Sequence, residues 1–230
     1  YSNDNKSLAA NPLYYKGMRL GEIWGFEVDG LFATDEEAQE YANKVDLSYF
    51  NMGYMPDGWR AGDLRFVDLD GDGKISFGSN TVDKPGDRKV IGNSLPSLQY
   101  GFSFGFDFYG FDFSAFFQGT GNHYWYPTSE ARTFWGPYGG GFASYIQKDF
   151  MKKVWSEDNP DAYFPRPRAY YCNNGKSPLA VFNTKYLQNV RYLRFKNLTV
   201  GYTVPQNLTK KIGIEKVRAY FTGENLAYWS

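Results

Sequence analysis

The stretch Gln99–Phe108, QYGFSFGFDF, decides the fold class of this chain of 230 residues. Its even-numbered positions are all aromatic and its odd-numbered positions are all small or polar, which is the strict period-two alternation of a β-strand. The stretch also has the length that a tilted strand needs to cross a bilayer, roughly 9–11 residues. Tyr109-Gly110 then allows a tight turn, and the alternation resumes over 111–118, so the sequence predicts a hairpin with one aromatic face.

Two environments could cover the aromatic face of this hairpin. One is membrane lipid, with the small and polar face turned to a water-filled lumen, as in a transmembrane β-barrel. The other is the inside of a soluble β-sandwich, although so many rings on one side of a single strand are more than a core about 10 Å thick comfortably holds. The alternation alone leaves both environments open.

The composition favours the membrane barrel. Aromatic residues make up 20% of the chain, while its mean hydropathy is −0.55. A polar average, and the lack of any apolar run of about 18 residues, exclude a membrane protein built from helices. A barrel accounts for both facts, because its strands alternate apolar with polar residues and carry aromatic girdles at the two interfaces. The 25 acidic residues balance the 25 basic ones, so no electrostatic field points to nucleic acid.

Further strands are predicted outside the hairpin. They cover 17–31, 190–204 and 216–226. In 190–204, Leu198 and Val200 share one face, while Leu193 and Phe195 fall on the opposite face, so the alternation slips between the two pairs. A bulge near Lys196, or emergence of the strand from the membrane there, would explain the slip.

The connections between these strands differ greatly in length. Two long polar connections, 32–98 and 119–188, alternate with the Tyr109-Gly110 turn and the shorter connection 205–215. If the Tyr109-Gly110 turn lies in the periplasm, both long connections fall on the outer side, as in outer-membrane barrels. We expect a helix over 35–45, because acidic residues at its start suit a helix N-terminus. The second long connection shows no strand pattern and is expected to be irregular.

An acidic loop in the first long connection, 68–75 (DLDGDGKI), matches the first half of an EF-hand calcium loop. Its carboxylates recur at every second position of a tight turn and would repel one another without a hard cation between them. Position twelve is Ser79 instead of a bidentate glutamate, so a later aspartate would have to complete the shell. The candidate ligands are Asp68, Asp70, Asp72, the carbonyl of Lys74, and Asp83 or Asp87. We expect a structural Ca²⁺ here, within an outer loop over 56–92, and a solvated acidic turn is the alternative.

Several stretches of the chain, in order, resemble one known family. They are GEIWGFEVDGLF (21–32), AGDLRFVDLDGDGKI (61–75), DRKVIGNSLPSLQYGFSFGFDFYGFDFSAFFQG (87–119), YLRFKNLTVGYTVP (192–205) and VRAYFTGENL (217–226). Together they are similar to the strand before the outer loop, the acidic loop, the aromatic hairpin and the later strands of SusC/RagA proteins, which are TonB-dependent outer-membrane transporters. The resemblance covers nearly the whole chain and is therefore more specific than any single motif.

The resemblance implies an all-β fold, in which residues 1–230 form C-terminal strands and long outer loops of an antiparallel transmembrane barrel of about 22 strands. It implies that a signal peptide, a plug, earlier strands and the last strand lie outside this chain, with Tyr228-Trp229-Ser230 in an outer loop. It also implies uptake of oligosaccharides, or in some members peptides, across the outer membrane of a Gram-negative, Bacteroidetes-like bacterium. The implied partners are the TonB complex, outer-membrane lipid and a SusD-like surface lipoprotein, and no enzymatic activity is implied.

Rings in the second long connection are candidates for ligand contact. They are Trp125, Tyr126, Trp135 and Tyr138. Aromatic faces pack well on the C–H faces of sugar rings. The alternative is that these rings belong to the interfacial girdle of the barrel or to packing within the loop. His123 and Cys172, the single histidine and cysteine, have no partner motif and are expected to be loop residues without chemistry.

Two other functions compete with transport. A soluble, Ca²⁺-stabilised β-sandwich that binds glycans would explain the acidic loop and the rings, but not the placement of both long connections on one side. A glycoside hydrolase would need paired carboxylates about 5–10 Å apart. The available residues are Glu130, Asp149, Glu157 and Asp158, none of which lies in a supporting motif.

Overall fold

The computed structural model describes residues 5–9, 14–50, 57–139, 146–168 and 175–230. The strands are β1 (Glu22–Phe26), β2 (Val28–Leu31), β3 (Leu64–Phe66), β4 (Arg88–Asn93), β5 (Gln99–Phe108), β6 (Phe111–Thr120), β7 (Tyr124–Trp125), β8 (Gln188–Asn189), β9 (Tyr192–Thr203) and β10 (Arg218–Trp229). The helices are α1 (Asp35–Lys44), α2 (Arg132–Trp135) and α3 (Gln206–Thr209), with 3₁₀ helices over Gly136–Gly139, Phe150–Lys153 and Lys210–Ile212. Among the described residues, no helix is long and apolar enough to cross a membrane.

Two compact units make up the chain. The first, here called the loop unit, contains Tyr1–Ser94 and Trp125–Gln188. The second, the sheet unit, contains Leu95–Tyr124 and Asn189–Ser230. The sheet unit includes the predicted aromatic hairpin and the later strands, whereas the loop unit includes most of the two long connections.

The sheet unit is built on a four-stranded antiparallel sheet with the strand order β10-β9-β6-β5. β5 and β6 pair without interruption over their whole length. Tyr109 and Gly110 join them with φ of 48° and 87°, the two positive values of a type I′ turn, whose twist matches that of the flanking strands. The predicted hairpin is therefore confirmed, including the position of its turn.

A bulge at Lys196 interrupts β9 where the sequence alternation slips. Phe195 lies opposite Phe117 of β6 and Asn197 lies opposite Phe116, so Lys196 has no counterpart in this ladder. An extra residue of this kind shifts the phase of a strand by half a period. The predicted bulge is therefore confirmed.

The bulge keeps one face of β9 apolar along the whole strand. Phe195, before the bulge, and Leu198, after it, lie opposite Phe117 and Ala115, which are two residues apart in β6 and therefore share a face. The expectation that Leu193 and Phe195 turn to the other face is wrong, because the bulged residue takes up the slip.

The C-terminal strand of this chain, β10, extends further than the sequence predicted. β10 runs to Trp229, and Tyr228 lies opposite Arg194 of β9. The expectation that Tyr228-Trp229 lies in an outer loop is therefore wrong. A register shift between Glu224 and Ala227 breaks the alternation within β10. The alternation in the sequence therefore stops before the strand itself ends.

The predicted strand 17–31 is divided in the loop unit. β1 pairs with β4, and β2 pairs with β3, in two separate ladders. Between them, the Phe26 N–H donates to the Phe182 carbonyl (2.8 Å) and the Thr184 N–H donates to the Phe26 carbonyl (3.0 Å). Gly25 permits this close approach, because a Cβ there would lie 2.6 Å from the Phe182 carbonyl oxygen. The change of partner involves a segment far away in the sequence, so local alternation could not reveal it.

The predicted helix is confirmed as α1, which ends one residue earlier than expected, with Val45 as its C-cap. Thr34 is the N-cap, and its side-chain oxygen accepts the Glu37 N–H (3.2 Å). The Glu37 carboxylate accepts the Ala33 N–H (2.7 Å). These bonds satisfy free amides at the helix start, where the acidic first turn also suits the helix dipole.

The loop unit has a hydrophobic core of its own, made mainly of aromatic rings. Its buried members are Phe26, Phe32, Ala38, Leu47, Phe50, Trp59, Leu64, Phe66, Ile75, Tyr126, Trp135, Tyr138, Phe150, Val154, Phe164, Leu179, Val181 and Tyr186. Both chain segments of the unit contribute to this core. The expectation that 119–188 is merely irregular is therefore corrected: its described part from 125 onward packs into an ordered body through rings that follow no regular period.

A buried ion pair links the two segments of the loop unit. The Asp63 carboxylate is fully buried and lies 2.6 Å from the Arg168 guanidinium. It also accepts the Arg60 N–H (2.8 Å). The Arg60 guanidinium in turn donates to Asp35 at the start of α1 (2.6 Å), and this bond, together with the Ala61 N–H, holds the pKa of the Asp35 carboxyl below its usual range.

Candidate functional site

The sheet of the sheet unit carries one continuous apolar face. Residues directly opposite one another in an antiparallel ladder point to the same side, so the register fixes the members of each face. The apolar face consists of Tyr100, Phe102, Phe104, Phe106 and Phe108 on β5, Phe111, Phe113, Ala115, Phe117 and Gly119 on β6, Leu193, Phe195, Leu198, Val200 and Tyr202 on β9, and Ala219, Phe221, Gly223, Ala227 and Trp229 on β10. No charged residue belongs to this set.

The rings of the apolar face stack on one another across the strands. The ring centroids of Phe102 and Phe117 are 5.0 Å apart, and those of Phe117 and Phe195 are 4.5 Å apart. Phe106 and Phe113 stack in the same way at 5.2 Å. Such pairs contribute about 0.5–1.5 kcal/mol each beyond the area that they bury. The stacking covers the sides of the rings and leaves their outer surface free.

The outer surface of these rings is exposed. The exposed fraction is 49% for Phe102 and 64% for Phe108. An aromatic side chain can bury about 150–250 Å², so leaving half of it in water forgoes about 2–3 kcal/mol per ring at about 25 cal/mol per Å². Soluble monomers rarely leave contiguous apolar patches larger than a few hundred Å² uncovered. Leaving this face in water is therefore unfavourable, and the sheet unit itself contains no second sheet among its described residues that could cover it.

The opposite face of the same sheet is polar. It consists of Gln99, Gly101, Ser103, Gly105 and Asp107 on β5, Asp112, Ser114, Phe116, Gln118 and Thr120 on β6, Tyr192, Arg194, Asn197, Thr199, Gly201 and Thr203 on β9, and Arg218, Tyr220, Thr222, Glu224 and Tyr228 on β10. A sheet that is apolar on one side and polar on the other suits a wall between lipid and water.

A bidentate ion pair crosses the polar face from β6 to β10. Arg218 Nε and Nη2 lie 2.9 and 2.5 Å from the two carboxylate oxygens of Asp112. Gly201 of β9 lies between them, and a Cβ there would meet the Asp112 carboxylate at 2.5 Å. The glycine thus leaves room for a charge-assisted bond that fastens three strands together.

A cluster of rings and one cation lies on the polar face, at the end of the sheet away from the Tyr109-Gly110 turn. The rings of Tyr192 and Tyr228 stack with centroids 5.7 Å apart. The Arg194 guanidinium lies 5.5 Å and 5.6 Å from their centroids, within range of cation–π attraction. This cluster offers a stacking surface and hydrogen-bond donors to a polar ligand.

The acidic loop forms a compact turn in the loop unit. The two carboxylate oxygens of Asp68 accept the N–H groups of Gly71 (2.7 Å) and Gly73 (2.9 Å). Both glycines have a positive φ, 74° and 78°, a conformation that favours glycine. At the end of the loop, the fully buried Ile75 donates its N–H to the Asp46 carbonyl (2.9 Å). The loop is thereby held against the core just after α1.

Asp87 completes the acidic group from outside the acidic loop. Carboxylate oxygens of Asp68, Asp70 and Asp87 lie within 4.8 Å of one another. Asp87 is fully buried and accepts the N–H groups of Leu69 (2.8 Å) and Ser76 (2.7 Å). Burial raises the pKa of the Asp87 carboxyl, and the nearby charges of Asp70 and Asp68 raise it further. These carboxylates fit a hard divalent cation such as Ca²⁺, which prefers oxygen ligands and would offset their repulsion.

The other predicted carboxylate ligands do not belong to this acidic group. Asp83 forms a surface ion pair with Lys6 (2.5 Å). Of the two aspartates considered for completing the shell, Asp87 is the one that lies in the acidic group. The expectation for Asp83 is therefore corrected. The Asp72 carboxylate accepts the Lys74 N–H (2.8 Å) and lies outside the described acidic group. The carbonyl of Lys74 stays a predicted ligand.

Most of the rings predicted to contact a ligand lie in the core of the loop unit. Tyr126, Trp135 and Tyr138 are at most 5% exposed. Their polar atoms donate to the backbone carbonyls of Val181 (2.8 Å), Pro127 (3.0 Å) and Pro165 (2.6 Å), respectively. A sugar cannot reach these buried faces, so their role is corrected to packing within the loop, the alternative considered above. Trp125 is 46% exposed, and its contact with a ligand stays a prediction.

The geometry does not favour glycoside hydrolysis. The carboxylates considered for it, Glu130, Asp149, Glu157 and Asp158, are all exposed. A general acid needs apolar surroundings that keep it protonated, which an exposed carboxylate lacks. The His123 ring has one hydrogen-bond contact among the described bonds, with Nδ1 3.2 Å from the Gly121 carbonyl oxygen. Cys172 lies outside the described residues.

Known proteins resemble the chain in sequence and in fold. No protein-family profile matches the sequence. TonB-dependent receptor P3 of Formosa agariphila is 28% identical over 213 residues, which are 92% of this chain and 18% of the relative. TonB-dependent receptor P26 of the same organism is 27% identical over 169 residues, which are 74% of this chain and 15% of the relative. The chain therefore spans about a fifth or less of the length of these curated relatives.

The solved structures of RagAB share the fold. The RagAB peptide importer in its open-open state covers 91% of this chain with a TM-score of 0.53 and 21% identity, over 19% of that chain. The RagAB peptide transporter matches the same share with a TM-score of 0.54 and 20% identity. The chain is similar to TonB-dependent receptors of the SusC/RagA type. The family resemblance predicted from the sequence is thereby confirmed, and the described part of the chain consists mostly of strands with a few short helices.

Proposed function

We propose that the sheet unit is part of the wall of a TonB-dependent transporter in the outer membrane. The apolar face contacts lipid, the polar face lines a water-filled lumen, and the sheet continues into a barrel of about 22 strands. The observation that carries this proposal is a single-layered sheet whose four strands share one apolar face. The exposure of that face supports the barrel over a soluble sandwich, in which a second sheet would cover it.

The proposed activity is uptake of oligosaccharides or peptides together with a SusD-like surface lipoprotein, with energy supplied by the TonB complex. The curated relatives are named TonB-dependent receptors and RagAB is named a peptide importer, which supports nutrient uptake across the outer membrane of a Gram-negative bacterium. The ring and cation cluster at Tyr192, Arg194 and Tyr228 suits a polar, hydrated substrate of either class. The exposed Trp125 is a second candidate contact.

The acidic group belongs to this proposal as a structural Ca²⁺ site. The carboxylates of Asp68, Asp70 and Asp87 would bind the ion, with the Lys74 carbonyl as a further ligand. Asp87 directly precedes β4, and the acidic loop lies just after β3. A bound ion would therefore hold together the two ends of the segment 76–86. The ion would hold the outer loop in shape and would take no part in transport itself.

Deletion of the gene in its host tests the proposed activity. Uptake of fluorescently labelled oligosaccharides and of labelled peptides is measured in parent cells, in the deletion strain and in a strain that lacks TonB. We expect uptake of one substrate class to be lost in both mutants. Unchanged uptake of both classes, with the protein recovered in the soluble fraction, would contradict transport and favour the soluble glycan-binding alternative.

A further inference from the structure

The connection between β9 and β10 is an ordered turn. This β9–β10 turn, 205–216, contains α3 and the 3₁₀ helix that follows it. Gly213 has φ 73° and donates its N–H to the Lys210 carbonyl (3.2 Å), and Ile214 donates its N–H to the Thr209 carbonyl (3.1 Å). These two bonds form a Schellman motif, which closes the C-terminus of the helical turn. The side chains of the turn are therefore presented in a fixed arrangement.

The β9–β10 turn exposes aliphatic side chains. Leu208, Ile212 and Ile214 are 53%, 70% and 43% exposed. Leu208 lies in α3 and Ile212 in the 3₁₀ helix that follows it, so both belong to the same short helical segment. By contrast, the polar Thr209 is buried. An arrangement that buries a threonine and exposes isoleucine is unfavourable in water and indicates an apolar partner.

Basic side chains accompany these aliphatic residues. Lys210, Lys211 and Lys216 are exposed, and Glu215 is the single acidic residue of the turn. Lysine can lay its aliphatic stem along an apolar surface and extend its ammonium to an anionic headgroup. A basic and aliphatic surface of this kind is typical of segments that lie in the interface of a membrane.

The β9–β10 turn lies at the same end of the sheet as the β5–β6 turn. The Thr203 N–H at the end of β9 donates to the Gly110 carbonyl (2.7 Å). Beside it, Tyr109 is 86% exposed, and the rings of Phe111 and Tyr202 close the last row of the apolar face at 4.6 Å. Aromatic rings at the end of a lipid-facing strand mark the membrane interface. The aliphatic residues of the turn therefore lie at the end of the sheet where the apolar face ends.

We propose that the β9–β10 turn is an interfacial anchor that binds the phospholipid leaflet at this end of the sheet. Leu208 and Ile212 insert at the level of the upper acyl chains, and Lys210 and Lys211 contact lipid phosphates. The inference rests on the proposed function, because it places the apolar face in lipid. A bilayer is the occupant that matches both the mixture of aliphatic and basic residues and the continuity with the apolar face.

Spin labels on the complete gene product test this anchor. With native cysteines replaced by serine, a nitroxide is placed at Ile212→Cys, at the matched control Gln206→Cys on the same turn, which is exposed and has no part in the proposed anchor, and at Phe106→Cys on the apolar face. The protein is folded into vesicles of phosphatidylethanolamine and phosphatidylglycerol. Collision rates are measured with oxygen, which concentrates among acyl chains, and with a water-soluble nickel chelate. We expect the ratio of oxygen to nickel collisions at 212 to exceed that at 206 several-fold.

The outcomes separate the anchor from the proposed function. If position 106 lies in lipid and position 212 is as accessible to nickel as position 206, the anchor is wrong and the barrel wall stands. If position 106 is also open to nickel, the proposed function itself is wrong. If the label at 212 is immobilised and protected from both reagents, protein covers the turn, and the anchor is wrong for that reason.

The role of the lysines has its own test. Replacement of Lys210 and Lys211 by glutamine should increase nickel access at a label on position 212 in vesicles that contain phosphatidylglycerol. In vesicles of phosphatidylcholine alone, which carry no net charge, the same replacement should have little effect. An equal response in both kinds of vesicle would contradict contact between the lysines and the headgroups of anionic lipids.

Discussion

The sheet unit and the loop unit use aromatic residues in opposite ways. In the sheet unit, rings such as Phe104 and Phe108 stand on a single layer and are 52% and 64% exposed. In the loop unit, rings such as Trp135 and Tyr186 are 0% exposed and pack around a common centre. An excess of aromatic residues therefore does not by itself distinguish a membrane surface from a core. The spacing of the aromatic residues along the sequence distinguishes the two: they recur at every second position in the sheet unit and at irregular intervals in the loop unit.

The largest effect is expected from opening a cavity in the core of the loop unit. Trp135→Ala should lower the free energy of unfolding by about 3–5 kcal/mol, because the ring is fully buried and its Nε1 donates to the Pro127 carbonyl. Trp125→Ala is the matched control, since that ring is 46% exposed, and should cost about 0.5 kcal/mol or little more. Urea unfolding followed by limited proteolysis of the loop unit measures both. Equal losses of stability would contradict the burial of Trp135 in the core of the loop unit.

A charge on the apolar face should have the next largest effect. Phe104→Arg should destabilise the folded barrel by about 2–4 kcal/mol if the residue lies near the bilayer midplane. Ser103→Arg is the control, because it places the same side chain on the neighbouring position of the polar face. Folding of the complete gene product into vesicles, followed by its heat-dependent electrophoretic mobility, measures the difference. Greater damage from Ser103→Arg would reverse the assignment of the two faces.

Calcium should stabilise the loop unit and leave the sheet unit unchanged. At a free Ca²⁺ concentration of 100 Kd, binding adds about 2.7 kcal/mol to the stability of the bound state. Chelation should therefore increase proteolysis between Asp63 and Gly92. Asp87→Asn should abolish the effect of chelation, whereas Asp83→Asn should preserve it, because Asp83 lies in a surface ion pair with Lys6. Identical cleavage with and without chelator would contradict the proposed calcium site and would not bear on the proposed barrel wall.

The smallest effect concerns the pH dependence of the loop unit. The Arg60 guanidinium lowers the pKa of the Asp35 carboxyl in the folded state. A lowered pKa stabilises the fold at pH values above the ordinary carboxyl pKa, near 4, and this contribution is lost as the pH falls through the folded value below it. Asp35→Asn should therefore reduce the loss of stability between pH 6 and pH 3, measured as the shift of the urea midpoint. An unchanged pH profile would indicate that this ion pair contributes nothing.

The sequence predicted the parts of the fold that depend on local pattern. Strict alternation gave β5, β6 and their turn, and the slip in the alternation gave the bulge at Lys196. The effect of this bulge on the two faces of β9 was not predicted, because only the register with β6 shows that Phe195 lies on the apolar face. The end of β10 was missed for a similar reason, since the register shift after Glu224 breaks the pattern.

The loop unit was less predictable because its contacts join distant parts of the chain. Asp63 and Arg168 are 105 positions apart in the sequence, and neither residue lies in a sequence pattern that predicts their pairing. The EF-hand spacing located Asp68 and Asp70 correctly within the acidic group, but the choice of Asp87 over Asp83 needed the fold. The burial of Trp135 likewise follows from packing across segments, which composition alone cannot reveal.

The most direct test of the central claim compares adjacent positions of β5. Nitroxide labels at Phe104→Cys and Ser103→Cys, in the complete gene product folded into vesicles, should report opposite surroundings. We expect the label at 104 to collide mainly with oxygen from the lipid phase and the label at 103 to collide mainly with a water-soluble nickel chelate in the lumen. Labels at both positions that are equally accessible to the nickel chelate would contradict a wall between lipid and water.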